Sequence, residues 1–199
     1  MLTILLIQPG ATDFDDQRRI KGTLDFPLSE NGVRQVSEIR EALEDTEIDA
    51  IYAGPCRSAR ETAEMLAEPR SLRVRRLEDL RNIDHGLWQG KLIDEIKRNQ
   101  PKAFRQGQAH AVEVCPPEGE SIQQARERVR QSLQKLIKRH KKGTIGLIVS
   151  EPLASLVAGE LEGHQLQDLW EAECDQGQYR VLRVPAAPRP ILGFLGNAG

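Results

Sequence analysis

Short apolar segments alternate with amphipathic segments along most of the chain. Apolar side chains are almost continuous over residues 3–7, 49–53 and 144–149, which is typical of strands buried on both faces of a parallel sheet. Elsewhere, apolar side chains recur at helical spacing. The helices that this spacing predicts span residues 29–43, 58–67, 121–140 and 153–161. The alternation favours a three-layer α/β/α sandwich around a mostly parallel sheet.

Other parts of the chain carry weaker patterns. Residues 74–80 predict a strand, and their charged side chains place it at an edge of the sheet. Residues 179–184 and 191–195 predict closing strands. Residues 82–120 are irregular and glycine-containing, with one short helix predicted over residues 92–97. We interpret residues 82–120 as a lid or cap within a single domain that spans residues 1–199.

Composition and charge exclude several classes of protein. The 199 residues are 39% hydrophobic and 29% charged, as in an ordinary globular domain. The formal net charge of −2 does not provide the basic surface that nucleic acid requires, and no apolar run approaches the roughly 20 residues of a membrane span. Cys56, Cys115 and Cys174 are far apart and odd in number. We therefore expect a cytoplasmic protein without disulfides, metal or cofactor.

Three segments are expected to meet at one edge of the sheet. In parallel α/β sheets, ligands bind beyond the carboxyl ends of the strands. Residues 8–12, 54–60 and 150–153 directly follow the three most apolar predicted strands. The sequence therefore predicts a pocket that these segments line.

Six blocks of sequence follow one another in a recognisable order. The first is Gln8-Pro9-Gly10-Ala11-Thr12, and the others span residues 19–32, 54–63, 80–90, 119–121 and 149–151. Together they resemble the histidine phosphatase superfamily, the phosphoglycerate mutase-like proteins, whose first block is Arg-His-Gly-x-Thr. The resemblance implies the phosphoglycerate mutase-like fold and phosphoryl transfer through a phosphohistidine.

The residues that carry this chemistry in the family are all substituted in this chain. By the resemblance, the nucleophilic His falls on Pro9 and its neighbouring Arg on Gln8. The second phosphate-binding Arg falls on Ser58, the acid–base Glu on Asn82 and the second His on Glu151. A carboxylate at the phosphate position would repel it by about 4 kcal/mol, at about 4 Å and an effective dielectric constant near 20. We therefore hypothesise a pseudophosphatase that keeps the fold and lacks the phosphohistidine machinery.

Five residues are candidate neighbours of this pocket. Thr12 matches the family's Thr and Asp15 falls on its phosphate-side Asn; without the family's charges, both are expected to form a turn and a helix cap. Arg57 or Arg60 could replace a lost guanidinium, although we favour solvent-exposed side chains for both. His85 could be a substitute nucleophile, although a partly exposed structural histidine is favoured.

Two further side chains border the predicted pocket. Glu151 precedes Pro152, and its carboxylate is expected to cap the helix that begins there. Cys56 lies just beyond the second predicted strand, where a reactive thiol is conceivable. Because the family carries Leu at this position, we favour a packing role for Cys56.

Three functions remain open at this point. The leading hypothesis is a non-catalytic monomer or homodimer that binds an uncharged or cationic small molecule in the rebuilt pocket, or a protein partner. The second is an enzyme with altered chemistry in the same cleft. The groups available to such an enzyme are Glu151, Asn82, Ser58, Asp84 and His85. The third is a conventional phosphatase or phosphoglycerate mutase that recruits Arg60 and His85.

Overall fold

The computed structural model describes residues 1–184, in which five strands form one sheet. The strands are β1 (Leu2–Ile7), β2 (Ala50–Ala53), β3 (Val74–Arg76), β4 (Gly143–Ile148) and β5 (Tyr179–Val184). Their order across the sheet is β3-β2-β4-β1-β5, with β1 to β4 parallel and β5 antiparallel to β1. The predicted α/β class with a mostly parallel sheet is confirmed.

Helices connect the strands, and the four long predicted helices are present. The helices of the described part are α1 (Asp13–Asp16), α2 (Glu30–Ala42), α3 (Arg57–Ala67), α4 (Ile93–Asn99), α5 (Pro101–Ala109), α6 (Ile122–Arg139), α7 (Leu153–Glu162) and α8 (Leu169–Cys174). Helices α2 and α6 begin after Ser29 and Ser121, whose hydroxyls accept backbone N–H groups of the first turn. No helix of residues 1–184 has both the length and the apolarity needed to cross a membrane.

Alternate side chains of β1 pack on opposite faces of the sheet. Ile4 and Leu6 belong to a cluster that includes apolar residues of α6 and α7. Leu5 and Ile7 belong to a second cluster, with residues of α2 and α3. Since a strand directs successive side chains to opposite faces, these two clusters place helices on both sides of the sheet and give the three layers.

The structure corrects several predicted elements. The strand predicted over 74–80 ends at Arg76 and is followed by a 3-10 turn over Glu78–Leu80, although β3 does lie at the edge. The short helix predicted over 92–97 is α4, and the pattern missed α5 and α8 altogether. Residues 82–120 therefore contain more helix than predicted, and their function as a lid stays a prediction. The strand predicted over 191–195 lies outside the described residues.

Two glycines fix the path of the chain just beyond β1. Ser29 N donates to Ala11 O over 2.8 Å, which holds the start of α2 against this segment. A Cβ on Gly10 would lie 2.9 Å from Gly32 Cα, and a Cβ on Gly32 would lie 2.8 Å from Ala11 N. Because backbone touches backbone here, neither position has room for a side chain.

We expect Gly32→Ala to destabilise the protein by about 1–3 kcal/mol, because the new methyl group overlaps the Ala11 backbone. Helix propensity alone predicts the opposite sign, since alanine stabilises a helix interior by about 1 kcal/mol relative to glycine. Urea unfolding measures the difference. Gly146→Ala in β4 is the matched control, because its Cβ would lie 3.4 Å from the Ile51 side chain, an ordinary contact. Equal stability of the two variants would contradict this account.

Candidate functional site

The three predicted segments meet at the carboxyl ends of β1, β2 and β4. Gln8 Nε2 donates to Glu151 Oε1 over 2.8 Å, which joins the segments that follow β1 and β4. Cys56 Sγ lies 3.4 Å from Ser150 Oγ, which joins the segments that follow β2 and β4. Gly10 N donates to Thr62 Oγ1 of α3 over 3.2 Å. The convergence expected from strand ends is confirmed.

Glu151 is the hub of this cluster and is 3% exposed. Its Oε2 accepts the Ser155 backbone N–H over 3.0 Å, so its carboxylate caps the start of α7 as expected. Its backbone oxygen accepts from Asn82 Nδ2 over 2.9 Å. Burial raises the pKa of Glu151 to about 7; hydrogen bonds from Gln8 and Ser155 oppose this rise, and the charge of Asp175 adds to it. The carboxyl group is therefore only partly ionised near neutral pH.

Pro9 is buried next to this hub. Its backbone oxygen accepts from Gly177 N over 3.0 Å, and Gln8 N donates to Gln178 O over 2.8 Å. These two bonds tie the segment after β1 to the segment before β5. Pro9 contributes a pyrrolidine ring, which has neither a nucleophile nor a hydrogen-bond donor.

Ser58 lies in the first turn of α3 and is 1% exposed. Its hydroxyl lies 3.7 Å from Cys56 Sγ, at the long end of a sulfur hydrogen bond. Cys56 is half-buried and packs against the cluster formed with α2 and α3, in agreement with the favoured packing role. Like Gln8 and Asn82, Ser58 contributes a neutral polar group to the site.

An ion pair that the sequence reasoning missed lies on the segment after β1. Asp15 accepts from Thr12 N and Thr12 Oγ1, each over 2.7 Å, which confirms the expected turn and cap. Lys21 Nζ also donates to both oxygens of Asp15, over 3.0 and 2.8 Å, and both side chains are buried. The only signal in the sequence was the opposite charge of two residues six positions apart. The pair neutralises the Lys21 charge inside the protein.

The arginines at the start of α3 are directed to solvent. Arg57 and Arg60 are both exposed, and Arg57 Nε donates to Glu61 Oε1 over 2.7 Å. This arrangement matches the favoured solvent-exposed interpretation of both residues.

His85 is fully buried, at 0% exposed, and its Nε2 contacts Glu173 Oε1. The expectation of a partly exposed histidine is wrong, because Glu173 lies on α8, a helix that the sequence pattern did not predict. The buried His85 imidazole therefore faces the Glu173 carboxylate of the protein itself. Among the described residues, no three His, Cys, Asp or Glu side chains are placed to hold a metal ion.

Comparison with known proteins agrees with the fold. The family model described as histidine phosphatase superfamily (branch 1) matches residues 4–189. Phosphoserine phosphatase 1 of Hydrogenobacter thermophilus is 30% identical over 194 residues, covering 96% of this chain and 91% of that protein. The solved structure of YhfR from Bacillus stearothermophilus superposes with a TM-score of 0.80 at 29% identity, covering 93% of this chain and 92% of that chain. Alpha-ribazole phosphatase from Shigella flexneri superposes with a TM-score of 0.77 at 22% identity, covering 93% of this chain and 96% of that chain.

Replacing Glu151 with Gln tests the ionisation of the hub. The raised pKa means that the folded protein holds this proton more tightly than the unfolded chain, whose pKa is near the ordinary 4.5. The wild type should therefore lose on the order of 3 kcal/mol of unfolding free energy as pH rises from about 4.5 to about 7. Glu151→Gln should lack this loss. Urea unfolding at several pH values measures it, with Glu64→Gln on the exposed face of α3 as control. Parallel pH profiles for wild type and Glu151→Gln would contradict the assignment.

Replacing Lys21 tests the buried ion pair. Lys21→Met leaves the Asp15 carboxylate buried without its cation, which should cost about 3–5 kcal/mol of unfolding free energy. Adding Asp15→Asn to this variant should recover part of the loss, because the neutral amide can still accept the Thr12 N–H. Thermal unfolding of the single and double variants measures the coupling. A loss below about 1 kcal/mol for Lys21→Met would show that the pair does not hold this segment.

Proposed function

Because the chain belongs to the histidine phosphatase superfamily, we propose that it is a non-catalytic member, a pseudophosphatase that acts by binding. The observation that carries this proposal is the buried contact between Gln8 and Glu151. By the resemblance, these two positions hold an arginine and a histidine in the family. Here an amide and a carboxyl group fill them and bond to each other.

Phosphoryl transfer needs groups that these positions do not supply. A nucleophilic nitrogen must attack the phosphorus, and cationic donors must stabilise the charge on the oxygens of the transferring group. Arginine supplies two parallel N–H groups for this purpose. At the corresponding positions the chain has Pro9, Gln8 and Ser58, which contribute neither a nucleophilic ring nitrogen nor a positive charge.

The ionisation of Glu151 opposes anion binding in either protonation state. When ionised, the carboxylate repels a phosphate that approaches it. When protonated, it is neutral and offers no positive charge in place of the family's histidine. The backbone bonds around Pro9 and the cap on α7 hold these groups in place, so the site can persist without a ligand.

A conventional phosphatase is the main alternative, and the names of relatives such as phosphoserine phosphatase 1 favour it. It requires substitute groups, for which the sequence offers Arg60 and His85. Arg60 is exposed on α3, and His85 is buried against Glu173. Both placements favour the non-catalytic proposal.

An enzyme with altered chemistry would need Glu151, Asn82 and Ser58 to act together. Asn82 bonds to the backbone oxygen of Glu151 rather than to its carboxylate, and the nearest partner of the Ser58 hydroxyl is Cys56 Sγ. These contacts support a structural use of the three side chains. The partner or ligand of the proposed pseudophosphatase and its cytoplasmic location stay predictions.

Turnover assays with p-nitrophenyl phosphate, 3-phosphoglycerate and phosphoserine test the proposal. We expect no hydrolysis or mutase activity above the rate in buffer, and no rise of the melting temperature in phosphate at constant ionic strength. Gln8→Arg combined with Glu151→His should acquire a phosphate-dependent rise, because it restores two cationic groups. Turnover that is lost in Glu151→Gln or Ser58→Ala would overturn the proposal in favour of altered chemistry. Turnover that is lost in His85→Gln would establish a conventional phosphatase.

A further inference from the structure

Positive charge is concentrated in two short segments of the chain. Residues 73–76 contain three arginines, residues 135–142 contain five lysines and arginines, and neither segment contains Asp or Glu. The first segment includes β3, and the second runs from the end of α6 into the turn before β4. All of these lysines and arginines are exposed. The formal net charge of −2 is a sum over the whole chain and does not reveal this local excess.

The fold brings the two segments together at the hydroxyl group of Tyr52. Arg75 Nη1 donates to Tyr52 Oη over 3.0 Å, and Tyr52 Oη lies 2.8 Å from His140 Nε2. Burial lowers the pKa of His140; the charges of Arg75 and Arg139 lower it further, and the charge of Asp49 opposes them. The positive charges of both segments therefore act at one place. We call residues 73–76 and 135–142 the basic surface.

The protein itself neutralises only a small part of this charge. Arg76 contacts Glu78, and Lys135 Nζ lies 3.3 Å from Asp79 Oδ2. The other lysines and arginines of the basic surface form no ion pair within residues 1–184. Residues 185–199 contain no Asp or Glu. Most of the positive charge is therefore available to another molecule.

Local structural requirements account for some of these residues. Charged side chains on an edge strand prevent unwanted pairing, which accounts for the arginines of β3. Cations in the last turn of a helix interact favourably with its dipole, which accounts for Lys138 and Arg139 of α6. Neither requirement applies to Lys141 and Lys142, because they follow the end of α6 and precede β4.

A cavity lies on the basic surface. Its volume is about 220 Å³, and the exposed Arg76, Lys135 and Arg139 are among the residues that line it. Leu77 and Leu136 also line it and provide an apolar part. Since a cavity of about 150 Å³ is large enough to hold benzene, this one has room for a large apolar side chain.

The charges around this cavity favour one class of partner. Glu78 and Asp79 are exposed and line the same cavity as the cations. These carboxylates repel the regularly spaced phosphates of a nucleic acid. A protein segment can place its own carboxylates on the cations and avoid Glu78 and Asp79, and it can also supply a side chain that fills the cavity.

We propose that the basic surface binds an acidic segment of a partner protein. The carboxylates of this segment pair with the lysines and arginines, above all with Arg139, and one large apolar side chain occupies the cavity beside Leu77. The proposal goes beyond the proposed function and does not depend on it. Lys141 and Lys142 precede β4, whereas the substituted cleft lies at the carboxyl end of that strand.

Fluorescence anisotropy with the full chain and labelled peptides tests the surface. The peptide Glu-Glu-Phe-Glu-Glu should bind, and its affinity should fall as potassium chloride is added, because salt screens exposed charges. Glu-Glu-Ala-Glu-Glu should bind about tenfold more weakly, because it leaves the cavity unfilled. Lys-Lys-Phe-Lys-Lys should not bind. Absence of binding by Glu-Glu-Phe-Glu-Glu, or equal binding by the lysine peptide, would overturn the proposal.

Exposed variants locate the binding without disturbing the core. The triple variant Arg76→Gln, Lys135→Gln and Arg139→Gln should weaken binding of Glu-Glu-Phe-Glu-Glu about tenfold, because it removes three cations that line the cavity. The control is a triple variant with the same change of net charge at exposed positions of α2, α4 and α5, namely Arg34→Gln, Arg98→Gln and Lys102→Gln. The control should bind as wild type does. Equal losses in the two triple variants would show that only the net charge matters and would refute the site.

Two further measurements separate the classes of partner. Glu78→Gln combined with Asp79→Asn should strengthen binding of the acidic peptide, because it removes the two competing carboxylates. Unchanged or weaker binding would contradict the placement of the peptide at this cavity. Duplex DNA and phosphatidylserine vesicles should bind more weakly than the acidic peptide at equal ionic strength. Tighter binding of either one, lost in the first triple variant, would overturn the proposal in favour of a nucleic acid or a membrane surface.

Discussion

The burial of the Glu151 carboxyl group is the constraint on which the arrangement of the site depends. Four parts of the chain converge on this one residue: the end of β1 through Gln8, the segment after the 3-10 turn over Glu78–Leu80 through Asn82, α7 through Ser155, and β4, which leads into it. A buried carboxyl group is tolerated only if its hydrogen bonds are made. Each contact therefore stabilises Glu151, and Glu151 in turn holds these segments together.

The sheet and the meeting point of the segments could be predicted from the sequence, because both follow from local patterns. Apolar runs such as residues 144–149 identify buried strands, and the rule for strand ends brings Gln8 and Glu151 together without knowledge of their contact. Helix α8 carries a weaker pattern over six residues, and its buried position comes from tertiary packing of Trp170 against Phe104 and Trp88. Because the sequence pattern does not predict α8, the expectation of a partly exposed His85 is wrong.

The sequence could not predict which charged residues from different elements pair with each other. Lys21 and Asp15, or His85 and Glu173, are found together only after the fold has placed their elements, and a single sequence offers many other pairs of opposite charge. The resemblance identified which positions matter, and the structure adds what the substituted side chains do there. The side chains of Gln8 and Asn82 both donate to Glu151, so these three substituted residues form one hydrogen-bonded cluster. Fold and site are thus separable, as expected when chemistry is carried by a few side chains on a common scaffold.

The contact between Gly10 and Gly32 has a consequence for how this scaffold can change. The course of residues 10 and 11 is set by their main-chain contacts with Gly32 and by backbone bonds to the side chains of Thr62 and Gln35. None of these contacts involves the side chain at position 9, so the course does not depend on it. Amino acids of quite different chemistry can therefore be exchanged on a fixed frame, each emerging at nearly the same point in space. Evolution or protein engineering can therefore change which ligands the cleft recognises without changing the fold.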